Sequence, residues 1–83
     1  MQFKANIDIM PLKELLDPQG KAVNNSLHNL GMSQIQNLRI GKHIQLQVEA
    51  SSEQEAKAIV QEACTKLLAN QVMESFEISI SQA

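Results

Sequence analysis

Tryptophan and tyrosine are absent from this 83-residue chain, and two phenylalanines are its only aromatic residues. Its core must therefore be built from Leu, Ile, Val, Ala and Met, which bury less area per residue than aromatic rings do. A single cysteine excludes an internal disulfide and any cysteine-based zinc site, since both need several, and it fits a reducing compartment. Positive charge is scarce as well. Seven Lys and Arg against nine Asp and Glu leave a formal net charge of −2, and the cations are scattered, which argues against nucleic acid as a partner because phosphate contacts need a clustered basic surface. No apolar run approaches the ~20 residues of a membrane span, and Met1-Gln2-Phe3-Lys4 lacks the apolar core of a signal peptide. The expected setting is cytoplasmic, away from membranes.

A chain this short makes one domain, residues 1–83, and buries only about 60–65% of the surface its unfolded form exposes. Stability alone should be marginal, and a homodimer or homotetramer would supply the missing burial.

What the chain does have is clear periodicity. Phe3, Ala5, Ile7 and Ile9 alternate with polar residues, the pattern of a strand with one buried face, over about residues 2–10. Met10-Pro11-Leu12 ends it, and Leu12, Leu15 and Leu16 are expected to pack down as a short apolar connection. Asp17-Pro18 reads as a helix start, with the carboxylate as N-cap and Pro at the first helical position. Val23, Leu27 and Leu30 form this helix's expected buried stripe, and Gly31 its left-handed terminus.

Leu38, Ile40, Ile44, Leu46 and Val48 then all fall at even positions. A two-residue hairpin at Gly41-Lys42 would split them between faces, so one long strand bent at Gly41 is preferred; a bulged hairpin would also restore the phase. Ser52-Glu53-Gln54-Glu55 has capping-box spacing and opens a second helix with Ala56, Ile59, Val60, Ala63, Leu67 and Leu68 as its stripe, ending near Asn70. Phe76, Ile78 and Ile80 mark a last strand over about residues 74–81. The fold class is α+β in two layers, β-α-β(long, bent at Gly41 and open to being split there)-α-β, one sheet with both helices on one face. The surplus half of the long strand would leave backbone groups for another copy's edge to satisfy.

No nucleophile, base and orienting group recur together, so a catalytic constellation is not evident. Cys64 lies beside the apolar stripe and reads as a small core residue. His28 and His43 lack partners at metal-ligand spacing and read as surface residues, with no metal site expected. Local oddities concentrate elsewhere. Gly20 in a first helical turn and Gly41 within a strand are unfavourable on their own, and both are tolerated where another backbone approaches closely. Lys21 at the helix start could meet a phosphate, but Asp17 would occupy the same donors and no Walker-type glycine pattern precedes it. Arg39 and Lys42 flank the bend and read as interface cations before ligand contacts. Asp17, Pro18, Gln19, Gly20, Lys21, Arg39, Gly41 and Lys42 are therefore the candidate partner-interface residues.

Asp17-Pro18-Gln19-Gly20-Lys21-Ala22-Val23, then Arg39-Ile40-Gly41-Lys42, then Lys66-Leu67-Leu68-Ala69-Asn70 with Val72 and Glu74 behind it, resembles the PurS family, the small subunit of phosphoribosylformylglycinamidine synthase. The three blocks fall in that family's order and spacing, and the likeness spans Ile7 to Ile80. Gln71 stands where the family often has Pro, and Phe76 where it often has Tyr. The resemblance implies an accessory chain with no active site or cofactor of its own, in an ATP- and glutamine-dependent C–N ligase of purine biosynthesis. It implies a glutaminase subunit and a synthetase subunit as partners, ATP and Mg on the synthetase, and a bridging role that supports ammonia transfer. The alternative is a small ferredoxin-like regulatory ligand-binding module; an independent enzyme is the weakest reading.

Overall fold

The computed structural model describes residues 1–13 and 17–83. Along the chain run β1 (Gln2–Pro11), α1 (Pro18–Asn29), β2 (Lys42–Glu49), α2 (Glu53–Ala63) with a π-helical turn (Cys64–Leu68), and β3 (Glu74–Gln82). The three strands form an antiparallel sheet in the order β2-β1-β3. The expected β-α-β-α-β order and α+β class hold.

The central strand explains the register. Phe3, Ala5, Ile7 and Ile9 all point to the helix-bearing side and are buried, and any one-residue slip would turn all four to water. Ile7 sits between Ile44 of β2 and Ile78 of β3, while the small Ala5 leaves room between Leu46 and Ile80. No hairpin forms at Gly41, so the even-numbered apolar residues of β2 share the core face. Ahead of β2, residues 35–41 run without a sheet partner, and within them Asn37 turns through φ 59, a left-handed conformation that Asn tolerates. The anticipated long strand is thus shortened to Lys42–Glu49, and the surplus half expected ahead of Gly41 is not strand. Leu12 lies half-buried, its N–H donating to Met73 O at 2.9 Å beyond the last strand residue, Pro11; Leu15 and Leu16 lie outside the described residues.

α2 opens as its sequence demands. Ser52 Oγ accepts from Glu55 N–H at 3.1 Å, whereas the Glu55 carboxylate takes the Ser51 hydroxyl instead of reaching back to the cap. Ala56, Val60 and Cys64, one turn apart, press onto the sheet and are fully buried. The predicted stripe included Ile59 and Leu67, and both are exposed. At Cys64 the helix widens: Ala69 N–H donates to Cys64 O at 3.0 Å, an i+5 bond, and the extra residue per turn rotates Leu67 to solvent and brings Ala69 inside.

α1 differs more from expectation. Asp17 caps it, and Gly31 (φ 91) ends it as anticipated, with Gly31 N–H to His28 O and Met32 N–H to Leu27 O at 3.0 Å each closing a Schellman motif. Its stripe, however, is not buried in the chain. Val23 is 39% exposed and Leu30 73%, with only Leu27 half-covered. α2 packs across all three strands, and α1 instead lies along residues 35–40 through its own polar side chains. The sheet face that was expected to carry both helices is covered by α2. The chain spans 52 × 26 × 14 Å with a radius of gyration of 16.3 Å, against about 12 Å for a compact domain of this length. This elongation leaves Ile44, Leu46, Val48, Phe76, Ile78 and Ile80 only half-buried.

Candidate functional site: the cleft between the end of the sheet and the start of α1

One end of the sheet gathers all three sequence blocks. Asp17 joins the first to the second: its Oδ1 accepts from Gly20 N–H and its Oδ2 from Ile40 N–H, both at 3.0 Å. Those two backbone donors, Gly20 first, hold its carboxyl below the ordinary carboxylate range, with the nearby Arg39 guanidinium adding to the effect. Glu74 joins the third block to the second. Its Oε1 accepts from Asn70 N–H at 2.8 Å, while Oε2 lies 3.8 Å from Lys42 Nζ. Asn70 itself turns the chain into β3, its carbonyl taking Met73 N–H at 3.0 Å and its side chain Val72 N–H at 3.1 Å. That is an Asx turn at the residue near which the second helix was expected to end.

Arg39 is half-buried, and its guanidinium donates to Pro11 O at the close of β1. A guanidinium fits that task better than an ammonium, because several of its N–H groups stay free after one is used. Two further ties hold the unpaired segment to α1. Asn24 Oδ1 accepts from Leu38 N–H at 3.3 Å, and His28 Nε2 lies 2.5 Å from Ile35 O. A carbonyl oxygen only accepts, so this ring nitrogen carries the proton.

These ties frame a cleft of about 460 Å³ lined by Pro11, Asp17, Pro18, Gln19, Ile40, Gly41, Lys42 and Glu74. Of the predicted interface residues, Asp17, Pro18, Gln19, Gly41 and Lys42 line it, Gly20 lies buried behind Asp17, and Arg39 braces it from Pro11. Lys21 is exposed on α1. Sequence reasoning did not single out Pro11 or Glu74 as site residues, although Glu74 stood within the third block.

The glycines receive a different explanation from the one expected. A Cβ on Gly20 would collide with the Asp17 carboxylate and come within 2.8 Å of Leu38 O, and one on Gly41 would collide with Ile9 O and the Met10 sulfur. The close backbone approach is made within the chain. Chemically the cleft offers one carboxylate whose two oxygens each already accept a backbone donor and one loose Lys–Glu pair. Elsewhere, His43 Nδ1 lies 2.6 Å from Asp8 Oδ1 on the open face of the sheet, and burial pushes the Cys64 thiol up, away from reactive thiolate. No group of three His, Cys, Asp or Glu able to hold a metal occurs among the described residues, and none of their helices is long and apolar enough to cross a membrane.

Fold and cleft together define a small α+β protein whose distinctive residues brace a surface. Comparison with known proteins gives the family. The family model PurS, phosphoribosylformylglycinamidine (FGAM) synthase, matches residues 4–82. The phosphoribosylformylglycinamidine synthase subunit PurS of Bacillus subtilis is 35% identical over 80 residues, covering 96% of this chain and 94% of its own; that of Thermotoga maritima is 37% identical over 76 residues, covering 92% and 93%. Among solved structures, a chain of PurLQS from Thermotoga maritima matches with a TM-score of 0.89 at 34% identity, over 98% of this chain and 99% of its own. The chain belongs to the PurS family.

Proposed function

We infer that this chain is the small subunit of phosphoribosylformylglycinamidine synthase in purine biosynthesis. It works in a complex with a synthetase subunit and a glutaminase subunit. The observation that carries this is the end-to-end likeness to a chain of the PurLQS structure, together with the family match over residues 4–82. The complex as a whole is an ATP- and glutamine-dependent ligase. Within it, this chain bridges the two catalytic subunits and supports passage of ammonia from one to the other.

The braced cleft and its rim, Asp17 to Lys21 with Arg39, Gly41 and Lys42, form the docking surface. Arg39 and Lys42 supply charge of a kind that steers and orients an acidic partner. ATP and Mg are held by the synthetase subunit, and this chain binds neither; equilibrium dialysis of the isolated chain with Mg–ATP should recover no bound nucleotide. The complex acts in the cytoplasm.

Reconstitution tests the reading. Synthetase and glutaminase should perform ammonia-dependent synthesis without this chain, and efficient glutamine-dependent synthesis only with it. Equal glutamine-dependent rates with and without the chain would overturn the assignment.

A further inference from the structure

Both oxygens of Asp17 are committed to backbone donors from segments 20 residues apart, Gly20 and Ile40. Capping α1 needs only one of them. The second bond fixes the far end of a segment that has no sheet partner, where it runs into β2, and it does so between the two cationic residues of the rim. With Ile40 N–H held, Arg39 reaches Pro11 O and Lys42 stands near Glu74. Asn24 repeats the device two residues earlier, at Leu38 N–H.

We propose that Asp17 is a positioning residue for subunit docking: its second carboxylate oxygen clips residues 38–42 to the start of α1, so that the rim is in its docking arrangement before a partner arrives. The inference rests on the functional reading above. A segment tied only after contact would be competent for a fraction of the time, and apparent affinity falls by that fraction.

Capping and clipping are separable by substitution. Asn caps a helix about as well as Asp does. Its side chain, however, has one accepting oxygen and an amide that donates, so Asp17→Asn can satisfy Gly20 N–H while facing Ile40 N–H with another donor. Asp17→Ser caps too, and is too short to reach Ile40. Asp17→Ala loses both functions.

The experiment titrates each variant into reconstituted synthetase and glutaminase and follows glutamine-dependent synthesis, with amide exchange of the isolated variants alongside. Asp17→Asn and Asp17→Ser should keep the helical signal of the wild-type chain and lose protection at Ile40 N–H. The concentration for half-maximal glutamine-dependent synthesis should rise about tenfold if the freed rim is competent about a tenth of the time, and the rate at saturating chain should recover. Wild-type half-saturation by an Asn or Ser variant whose Ile40 amide is unprotected overturns the proposal. So does retention of that protection in both variants, or a fall in the saturated rate with no shift in half-saturation. Failure of the wild-type chain itself to support glutamine-dependent synthesis would overturn the functional reading instead, and the two failures are thereby distinct.

Discussion

The α2 side and the α1 side of this chain are held by different forces. Under α2, Ala56, Val60 and Cys64 are buried together with Phe3, Ile7 and Ile9, and half-buried Ile44, Leu46, Phe76, Ile78 and Ile80 pack around them. Along α1, Asp17, Asn24, His28 and Arg39 hold residues 35–40 by hydrogen bonds, while Val23, Leu30 and Met32 stay exposed. Hydrogen bonds contribute only about 0.5–1.5 kcal/mol each but are directional; burial contributes more and is not directional pair by pair. The first region is held mainly by burial. The second is given its shape by polar ties and keeps apolar surface for association, as a subunit of a complex requires.

Substitutions should separate the two. Ile7→Ala removes the centre of the core and should destabilise the isolated chain by about 3–4 kcal/mol, enough to unfold much of so small a domain. Val23→Ala should cost less than about 1 kcal/mol in the isolated chain, since the side chain is already partly in water, and should weaken self-association. Urea unfolding of the two proteins checks the pair, and similar losses would erase the distinction.

Gly41→Ala comes next. Its new methyl meets the Ile9 carbonyl, a backbone atom of the central strand that cannot swing aside, so a loss of about 1–3 kcal/mol is expected in thermal unfolding. Cys64→Ser should cost a similar 1–3 kcal/mol by burying a hydroxyl without a partner, and the assembled complex should stay active. Loss of activity at unchanged stability would show that the thiol itself functions.

Smaller still is the effect of Arg39→Ala with Lys42→Ala on the isolated fold. It should stay within about 1.5 kcal/mol, the Pro11 bond being the main loss, yet subunit association should slow and lose much of its salt dependence. Association kinetics at two ionic strengths decide this. The smallest effect concerns pH. Asp17's carboxyl is depressed from 3.8 in the folded chain, so its contribution is complete above that value and is lost as pH falls through the folded one. Amides of the α1 region should lose protection below about pH 4, ahead of those in β1.

Much of this division could be read from residues. Alternation in β1 and β3, the parity of Ile44, Leu46 and Val48, Asp17-Pro18, Ser52 with Glu55, and Gly31 each announced a local structure, because each acts through near neighbours, whereas the same parity at Leu38 and Ile40 did not make a strand. Burial was less legible. The i, i+4, i+7 spacing of Val23, Leu27 and Leu30 says that an apolar face exists, and it cannot say whether this chain or another covers it. Leu67 was misplaced because a π-turn adds a residue without any mark in composition. Gly20 and Gly41 were rightly marked as points of close approach, but the approaching atoms, Leu38 O and Ile9 O, belong to this chain. The cleft brings together residues as distant as Pro11 and Glu74, which only the sheet's strand order makes neighbours.

Hydrogen exchange of the chain alone and in the reconstituted complex tests most directly the claim that one region is a finished core and the other a surface shaped for partners. Amides of β1 should be protected in both states, and those of residues 18–41 should gain at least about tenfold protection on assembly. Equal protection of residues 18–41 in the free chain and the complex, or a gain confined to α2 and β3, would contradict the account.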